Sequence, residues 1–220
     1  MADLGETKRR DYAPKTLKVL SDEDAIELLE LSSKAGITRG SESLAYVYMF
    51  GDLGQKKKLA KREEWSIVAA NQGQAKPLNT LAGHLIDGSS WVGRRKEVDR
   101  GLKLLKIVAE KGNQEQSSEA LFISGMTHLY YSKKHFDLEE GIRLLESSGR
   151  ADAYFMLGDL YEKEKKKVST DLKVAAEYYL KAAEMNHYES MEIVEEWYRR
   201  GKGFKKNSKE AKRWKKLLDQ

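Results

Sequence analysis

The chain has no cysteine, only two prolines (Pro14 and Pro77) and only four histidines (His84, His128, His135 and His187). Each scarcity excludes something. Without cysteine there is no disulfide scaffold, no thiolate metal site and no thiol nucleophile. So few prolines favour long uninterrupted helices. No stretch approaches the roughly 18 consecutive apolar residues that read as a membrane span. The histidines form no His-Glu-x-x-His motif, and no Gly-x-Ser-x-Gly elbow is present, so neither metal-assisted nor serine nucleophilic catalysis has its usual frame. No catalytic residue, metal or cofactor is therefore expected. The first ten residues, Met1 to Arg10, hold no apolar core of the kind a signal peptide needs. The expected compartment is the cytoplasm, with the periplasm as the alternative for a chain whose signal peptide has been removed.

What is present is a chain of 220 residues, 40% hydrophobic and 34% charged, with 4 Trp, 11 Tyr and 5 Phe. That is enough apolar surface for a folded core. The net charge of +5 hides an asymmetry. Between Arg199 and Lys216 stand ten Lys or Arg against the single acid Glu210, a net +9, which leaves −4 on the rest of the chain. A mildly acidic body with a basic C-terminal end describes it better than "basic protein".

Five segments close alike: Ser33-Lys34-Ala35-Gly36, Ala70-Asn71-Gln72-Gly73, Ala109-Glu110-Lys111-Gly112, Glu146-Ser147-Ser148-Gly149 and Ala183-Glu184-Met185-Asn186. The closing residues step by 37, 39, 37 and 37. Gly and Asn are the residues that tolerate the left-handed conformation ending a helix. Eight residues before each stop lie Leu28, Trp65, Leu104, Gly141 and Tyr178, and four before lie Ser32, Ala69, Val108, Leu145 and Ala182. These offsets share one helix face. Another helix precedes each from the second unit on: Leu44–Phe50, Leu78–Asp87, Ala120–Tyr130, Ala153–Tyr161 and Met191–Tyr198. In these a small residue stands three before a bulky one, as in Ala45/Tyr48, Ala82/Leu85 and Gly158/Tyr161, which suits close helix approach.

The periodicity predicts an all-α solenoid of about five helix pairs stacked into one core. Residues 1–15 read as a loose lead-in and 16–220 as a single repeat domain. Its units end near 36, 73, 112, 149 and 186, and a capping pair occupies 188–220. The first unit has only its second helix, Asp22–Ala35, and the last second helix is Ser208–Leu218.

Residues 151–161, Ala-Asp-Ala-Tyr-Phe-Met-Leu-Gly-Asp-Leu-Tyr, resemble the first helix of a Sel-one-like repeat, a tetratricopeptide-type unit. Residues 171–187 continue the resemblance, and it recurs with drift in Tyr48–Gly54 with Trp65 and Ala69, and in Tyr198–Gly203 with Ala211 and Trp214. Residues 113–149 depart from the pattern, and Gly125, His128 and the Ser147-Ser148-Gly149 close leave their register open by one residue. The resemblance implies a non-enzymatic protein-binding scaffold. Some cysteine-rich relatives were described as penicillin-binding or β-lactam-hydrolysing, and that framework is missing here.

By the same resemblance the first helix of each unit lines a concave groove. Its open positions are Glu42, Tyr46, Met49, Asn79, Ile86, Asp152, Phe155, Asp159, Glu162, Glu192, Glu196 and Arg199, with His128 beside them. The later members are acidic, whereas the lysine runs 163–167 and 205–216 fall on loops and second helices. The expected partner is a protein offering Lys or Arg with apolar anchors. One specific version is an immunity protein neutralising a secreted bacterial toxin such as a phospholipase effector; another is a regulatory or quality-control adaptor joining two partners. Trp91, beside Arg94 and Arg95 in the longest loop, is a further contact candidate. The basic C-terminal end reads as the solvated cap of the array, against nucleic-acid binding through Trp197, Tyr198, Phe204 and Trp214 or membrane-surface binding. The oligomeric state stays open.

Overall fold

The computed structural model describes residues 20–88, 96–163 and 168–219. The lead-in 1–15, Trp91 and residues 164–167 of the first lysine run lie outside them. Among the described residues all regular structure is helical. The α-helices are α1 (Asp22–Lys34), α2 (Thr38–Phe50), α3 (Leu59–Asn71), α4 (Lys76–Asp87), α5 (Val98–Lys111), α6 (Gln114–Met126), α7 (Leu138–Ser148), α8 (Ala151–Glu162), α9 (Leu172–Glu184), α10 (Tyr188–Arg200) and α11 (Ser208–Leu218). A π-turn, Thr127–Tyr131, follows α6. The described residues form two compact units that part within α3, after Trp65.

In the first unit, α1 opens with a reciprocal capping box. The Ser21 hydroxyl accepts from the Asp24 amide at 3.1 Å, and the Asp24 carboxylate accepts from the Ser21 amide at 3.2 Å. α2 returns against α1 at Gly40, where a Cβ would lie 2.6 Å from the Leu29 carbonyl oxygen and from the Ser33 nitrogen. Leu44, Ala45, Val47 and Tyr48 are buried. Leu28, placed by its spacing at the core level of a second helix, is half exposed instead. Its counterpart Tyr178 is covered by Tyr154 and Tyr161 of the preceding helix, and α1 has no such first helix among the described residues.

In the second unit, α4, α6, α8 and α10 are first helices and α5, α7, α9 and α11 second helices, and within each pair the two helices pack on one another. Four of the five stops adopt positive φ: Gly36 (+79°), Gly73 (+86°), Gly149 (+63°) and Asn186 (+63°). Gly112 does not. It is extended (φ −69°, ψ 164°), and glycine is required for space, since a Cβ would lie 2.7 Å from the Val108 carbonyl oxygen. The first helices also begin two to six residues earlier than their apolar periodicity shows, at Thr38, Lys76, Gln114, Ala151 and Tyr188. Their opening turns are largely polar, and two are set by side-chain caps. Asn113 forms a capping box with Gln116 on α6, and His187 accepts from the Ser190 amide on α10. His187 is thus the N-cap of α10.

The open register of residues 113–149 has a physical origin. A π-turn widens the hydrogen-bonded ring to i→i+5 and so accommodates one residue more than an α-turn, and it lies at Thr127–Tyr131. Further along, α8 and α9 meet where a Cβ on Gly158 would lie 2.7 Å from the Tyr179 ring. Tyr179 is 1% exposed and meets Trp197 edge-on at 5.4 Å. Gly158→Leu should therefore lower the unfolding free energy by about 1–3 kcal/mol through overpacking. Urea denaturation is the measurement; an unchanged midpoint contradicts this account of the crossing.

Candidate functional site

The first-helix positions proposed from sequence separate into three groups. In the first unit, Glu42, Tyr46 and Met49 on α2 are partly exposed. The Tyr46 ring stacks on exposed Phe50 one turn later, centroids 6.2 Å apart. Burial, and then the Glu42 charge, push the Tyr46 hydroxyl above its ordinary pKa. Buried Arg62 partly opposes that rise, and its own guanidinium is lowered to about 10 by desolvation.

The second group is not open. Asn79 and Ile86 on α4 are 6% and 4% exposed. Ile86 packs where a Cβ on Gly101 would come within 2.6 Å of its side chain. Phe155 is held between His187, stacked at 4.7 Å, and Tyr179, tilted at 5.8 Å. Asn79 and Ile86 are buried, and the expectation of open side chains there is corrected; Phe155 is partly buried. The period of the helix was right, but α4 buries a wider arc than its apolar stripe suggests.

The third group is the acids, and most of them are already paired. Asp152 holds Arg150 through two bonds of 2.9 and 2.8 Å. Asp159 pairs with Lys163, and Glu196 with Arg200 at 3.0 Å. Arg199 reaches Glu195 at 3.3 Å. Glu162 accepts from the Lys202 ammonium and the Tyr179 hydroxyl, each at 2.7 Å. Lys202 also lies over the Trp197 ring, 4.5 Å from its centroid. Glu162 is therefore a clamp between α8, α9 and the loop after α10. On the first helices of the second unit, Glu115 and Glu119 on α6 and Glu192 on α10 are exposed and take no part in the ion pairs of the described residues.

The pairing leaves an asymmetry in formal charge. Helices α4, α6, α8 and α10 carry 0, −2, −3 and −2, or −7 together, against +2, −2, 0 and +4, or +4 together, for α5, α7, α9 and α11. On the first-helix side, α4, α6 and the π-turn enclose an apolar notch of about 180 Å³. Gly83, Ile86, Phe122, Ile123 and Met126 line it together with exposed Asp87 and Tyr131. A larger cleft of about 460 Å³ opens between α5, α6 and α7, where Glu140 on its wall is tied up by Arg143 through two bonds of 2.6 Å. His128 lines this cleft, its Nδ1 at 2.8 Å from the His135 carbonyl oxygen.

Sequence reasoning missed one cluster. The Ser132 hydroxyl lies 2.7 Å from His135 Nδ1, and His135 Nε2 lies 2.7 Å from Asp99. The order of atoms is that of a nucleophilic triad, but the surroundings differ. The Asp99 side chain is 67% exposed and is shared with Lys134 at 3.0 Å, whereas a triad aspartate is buried and serves the histidine alone. Lys134 and His135 hold the Asp99 carboxyl below the usual carboxylate range. The cluster ties the first turn of α5 to the loop before α7. The aromatic residues of the basic end are likewise engaged: Trp197 and Trp214 are each 3% exposed, and Tyr198 stacks on Phe204 at 4.2 Å. No group of three potential metal-ligating side chains occurs, and no helix is long and apolar enough to cross a membrane, among the described residues.

Comparison with known proteins agrees with this architecture. The Sel1 repeat family matches residues 43–74, 151–187 and 196–214. No curated protein matches the sequence. The crystal structure of a Sel1 repeat protein from Oxalobacter formigenes superposes with a TM-score of 0.64 at 21% identity, over 88% of this chain and 54% of that one. A protective antigen present in uropathogenic Escherichia coli strains, displaying an SLR fold, superposes with a TM-score of 0.61 at 23% identity, over 88% of this chain and 40% of that one. The chain thus spans about half the length of these proteins or less, and the likeness establishes the α/α solenoid fold.

Glu162 gives the clamp a pH signature. Burial works to raise its pKa, but the bonds from Lys202 and Tyr179 outweigh it, so the folded value lies below the ordinary 4.5. A carboxyl depressed by folding contributes stability above its unfolded pKa and loses that contribution as pH falls through the folded value. Glu162→Gln should therefore lower the melting temperature at pH 7. The gap from the unsubstituted protein should narrow as pH drops below about 4.5. Thermal melts between pH 3 and 7 test this, and a gap independent of pH contradicts it.

Proposed function

We propose that this chain, which carries three Sel1 repeats, is a non-enzymatic protein-binding scaffold whose first-helix face meets the partner. The observation that carries the reading is the coincidence on that face of the acid excess and the apolar notch. Of the acids on that face, Glu115, Glu119 and Glu192 are left to act at a distance, because Asp152, Asp159, Glu162 and Glu196 already hold cations. Free surface charge acts mainly on encounter, whereas affinity resides in buried apolar contacts. A finer version of the proposal, in which the partner is a secreted bacterial toxin neutralised by this chain, is supported by the family resemblance alone. A toxin gene beside this one and a purified one-to-one complex that abolishes toxicity are its tests.

The test of the face uses the partner captured from the source organism, identified by mass spectrometry and then purified. Glu119→Lys with Glu192→Lys should slow association several-fold and flatten its salt dependence, with little change in dissociation. Lys209→Glu with Lys212→Glu on α11 should change neither rate appreciably. Stopped-flow measurements at two salt concentrations decide the matter. The reverse ordering moves the contact to the basic end and overturns the face assignment.

A further inference from the structure

Two neighbouring repeats of the second unit cross their helices alike and fill the space beside the crossing differently. A Cβ on Gly125 of α6 would lie 2.8 Å from Leu145 of α7, and one on Gly158 of α8 would lie 2.7 Å from Tyr179 of α9. Leu145 and Tyr179 each stand eight residues after the aspartate, Asp137 or Asp171, that caps their helix. Counted from these crossings, Leu121, His128 and Leu144 occupy the positions of Tyr154, Tyr161 and Tyr178.

Beside Gly158 three phenol rings share that space. Tyr178 stacks on Tyr161 at 5.7 Å and on Tyr154 at 6.4 Å, and its hydroxyl donates to Glu146 of α7 at 2.7 Å. Beside Gly125 the rings are missing, and Leu121, His128 and Leu144 line the open cleft of about 460 Å³ between α5, α6 and α7. That volume falls in the range of about 300–1,000 Å³ in which proteins enclose small molecules.

Two polar groups on the α6 wall are unused. Ser124 lines the cleft at the position of fully buried Leu157; it is 9% exposed, and its hydroxyl makes no hydrogen bond among the described residues. Burying a hydroxyl without a partner destabilises a fold, and Leu157 shows that the repeat takes a leucine there. His128 follows one turn later on the same helix face. Its Nδ1 lies 2.8 Å from the His135 carbonyl oxygen, which can only accept, so Nδ1 carries the proton and the neutral ring keeps its lone pair on Nε2. Nε2 bonds no described residue. The charges on the other walls cancel. Glu140 holds Arg143 through two bonds of 2.6 Å, and Lys106 and Glu110 stand one turn apart on α5. A phenolic hydroxyl both donates and accepts, so a single oxygen can donate to Nε2 and accept from Ser124.

We propose that this cleft binds a small neutral phenol, with its ring against Leu105, Leu121 and Leu144 and its hydroxyl between Ser124 and His128. The site is separate from the first-helix face and does not depend on which protein meets that face.

The probes are p-cresol, 4-methylanisole and toluene, titrated at neutral pH into full-length protein carrying ¹³C-methyl leucine, with the Leu121 methyl resonances as readout. The cresol should shift them saturably, with a dissociation constant of about 1 mM or below. The anisole keeps the acceptor and loses the donor, and toluene loses both; each should bind at least about fivefold more weakly. His128→Phe should erase the preference for the cresol over the anisole, which a merely structural role of His128 would leave in place. Leu144→Tyr, which supplies the ring that Tyr178 supplies in the next repeat, should stay helical by circular dichroism and abolish the shift. It keeps the question decidable if His128→Phe does not fold. Equal affinity for the three probes, no shift from any, or undiminished cresol binding by folded Leu144→Tyr overturns the proposal. Tighter binding of N-acetyltyrosinamide than of the cresol also overturns it, by making the occupant a tyrosine side chain of a partner protein.

Discussion

The distance at which paired helices can cross governs this fold. Two helices cannot cover their own apolar faces, so the chain gains stability only by laying pair upon pair. At Gly40, Gly101 and Gly158, and at the facing Gly125 and Gly141, the neighbour occupies the space a Cβ needs. The Gly141 carbonyl oxygen lies 3.0 Å from a Cβ built on Gly125, so backbone meets backbone there. Alanine serves nearby in the same way: Ala45, Ala82, Ala120, Ala153, Ala175 and Ala176 are at most 1% exposed. Once crossings are set by residues without bulk, the large side chains pack to either side of them. Tyr179, Trp197 and Trp214 with Val194 form one such body, and Leu129, Leu145, Leu157 and Leu160 another.

Close crossing also determines the electrostatics of the surface. Most acids of α8 and α10 are held in local pairs, Asp159 with Lys163, Glu195 with Arg199 and Glu196 with Arg200, and the approach of the helices adds the pair of Glu162 with Lys202 from the loop after α10. Glu162 is the clearest case, because its partner Lys202 is 40 residues away and only the stacking of repeats brings the two together. An acid held at 2.7 Å by a cation and a phenol has little field left for a partner. A face that is acidic in composition is therefore much less so in effect, and its selectivity must come from shape at the places where side chains are absent.

That division explains what the sequence made legible. The period, the stops at Gly36, Gly73, Gly149 and Asn186, and the small–bulky pairs are local signals, each fixed by a few neighbouring residues, and the structure has them. Gly112 kept the period while changing its reason from dihedral angle to space. The π-turn left only an uncertainty in spacing, because one residue added inside a helix has no composition of its own. Asn79 and Ile86 were misplaced for a different reason. Periodicity gives the direction of a side chain but not the width of the arc its neighbours cover, and α4 touches both α5 and α6. The Asp99–His135 contact and the Lys202 clamp link residues more than 30 positions apart, so no spacing rule could have revealed them.

The first and the last of the described helices place their apolar residues differently. On α11 Trp214 is 3% exposed and Ala211 5%, while Lys209, Lys212, Lys216 and Leu217 face water. On α1 the arrangement is reversed, since Leu28 and Leu31 are 50% and 51% exposed beside Glu27 and Glu30. Within the second unit the counterpart of Leu28 is Tyr178, whose ring stacks at 5.7 Å on Tyr161 and whose hydroxyl donates to Glu146 of the preceding second helix at 2.7 Å. The same register position is thus buried where described helices precede it and half exposed on α1, the first described helix. Burial at that position follows from having a neighbour, and it measures how far the stacking constraint, rather than local propensity, decides which apolar residues of this chain reach solvent.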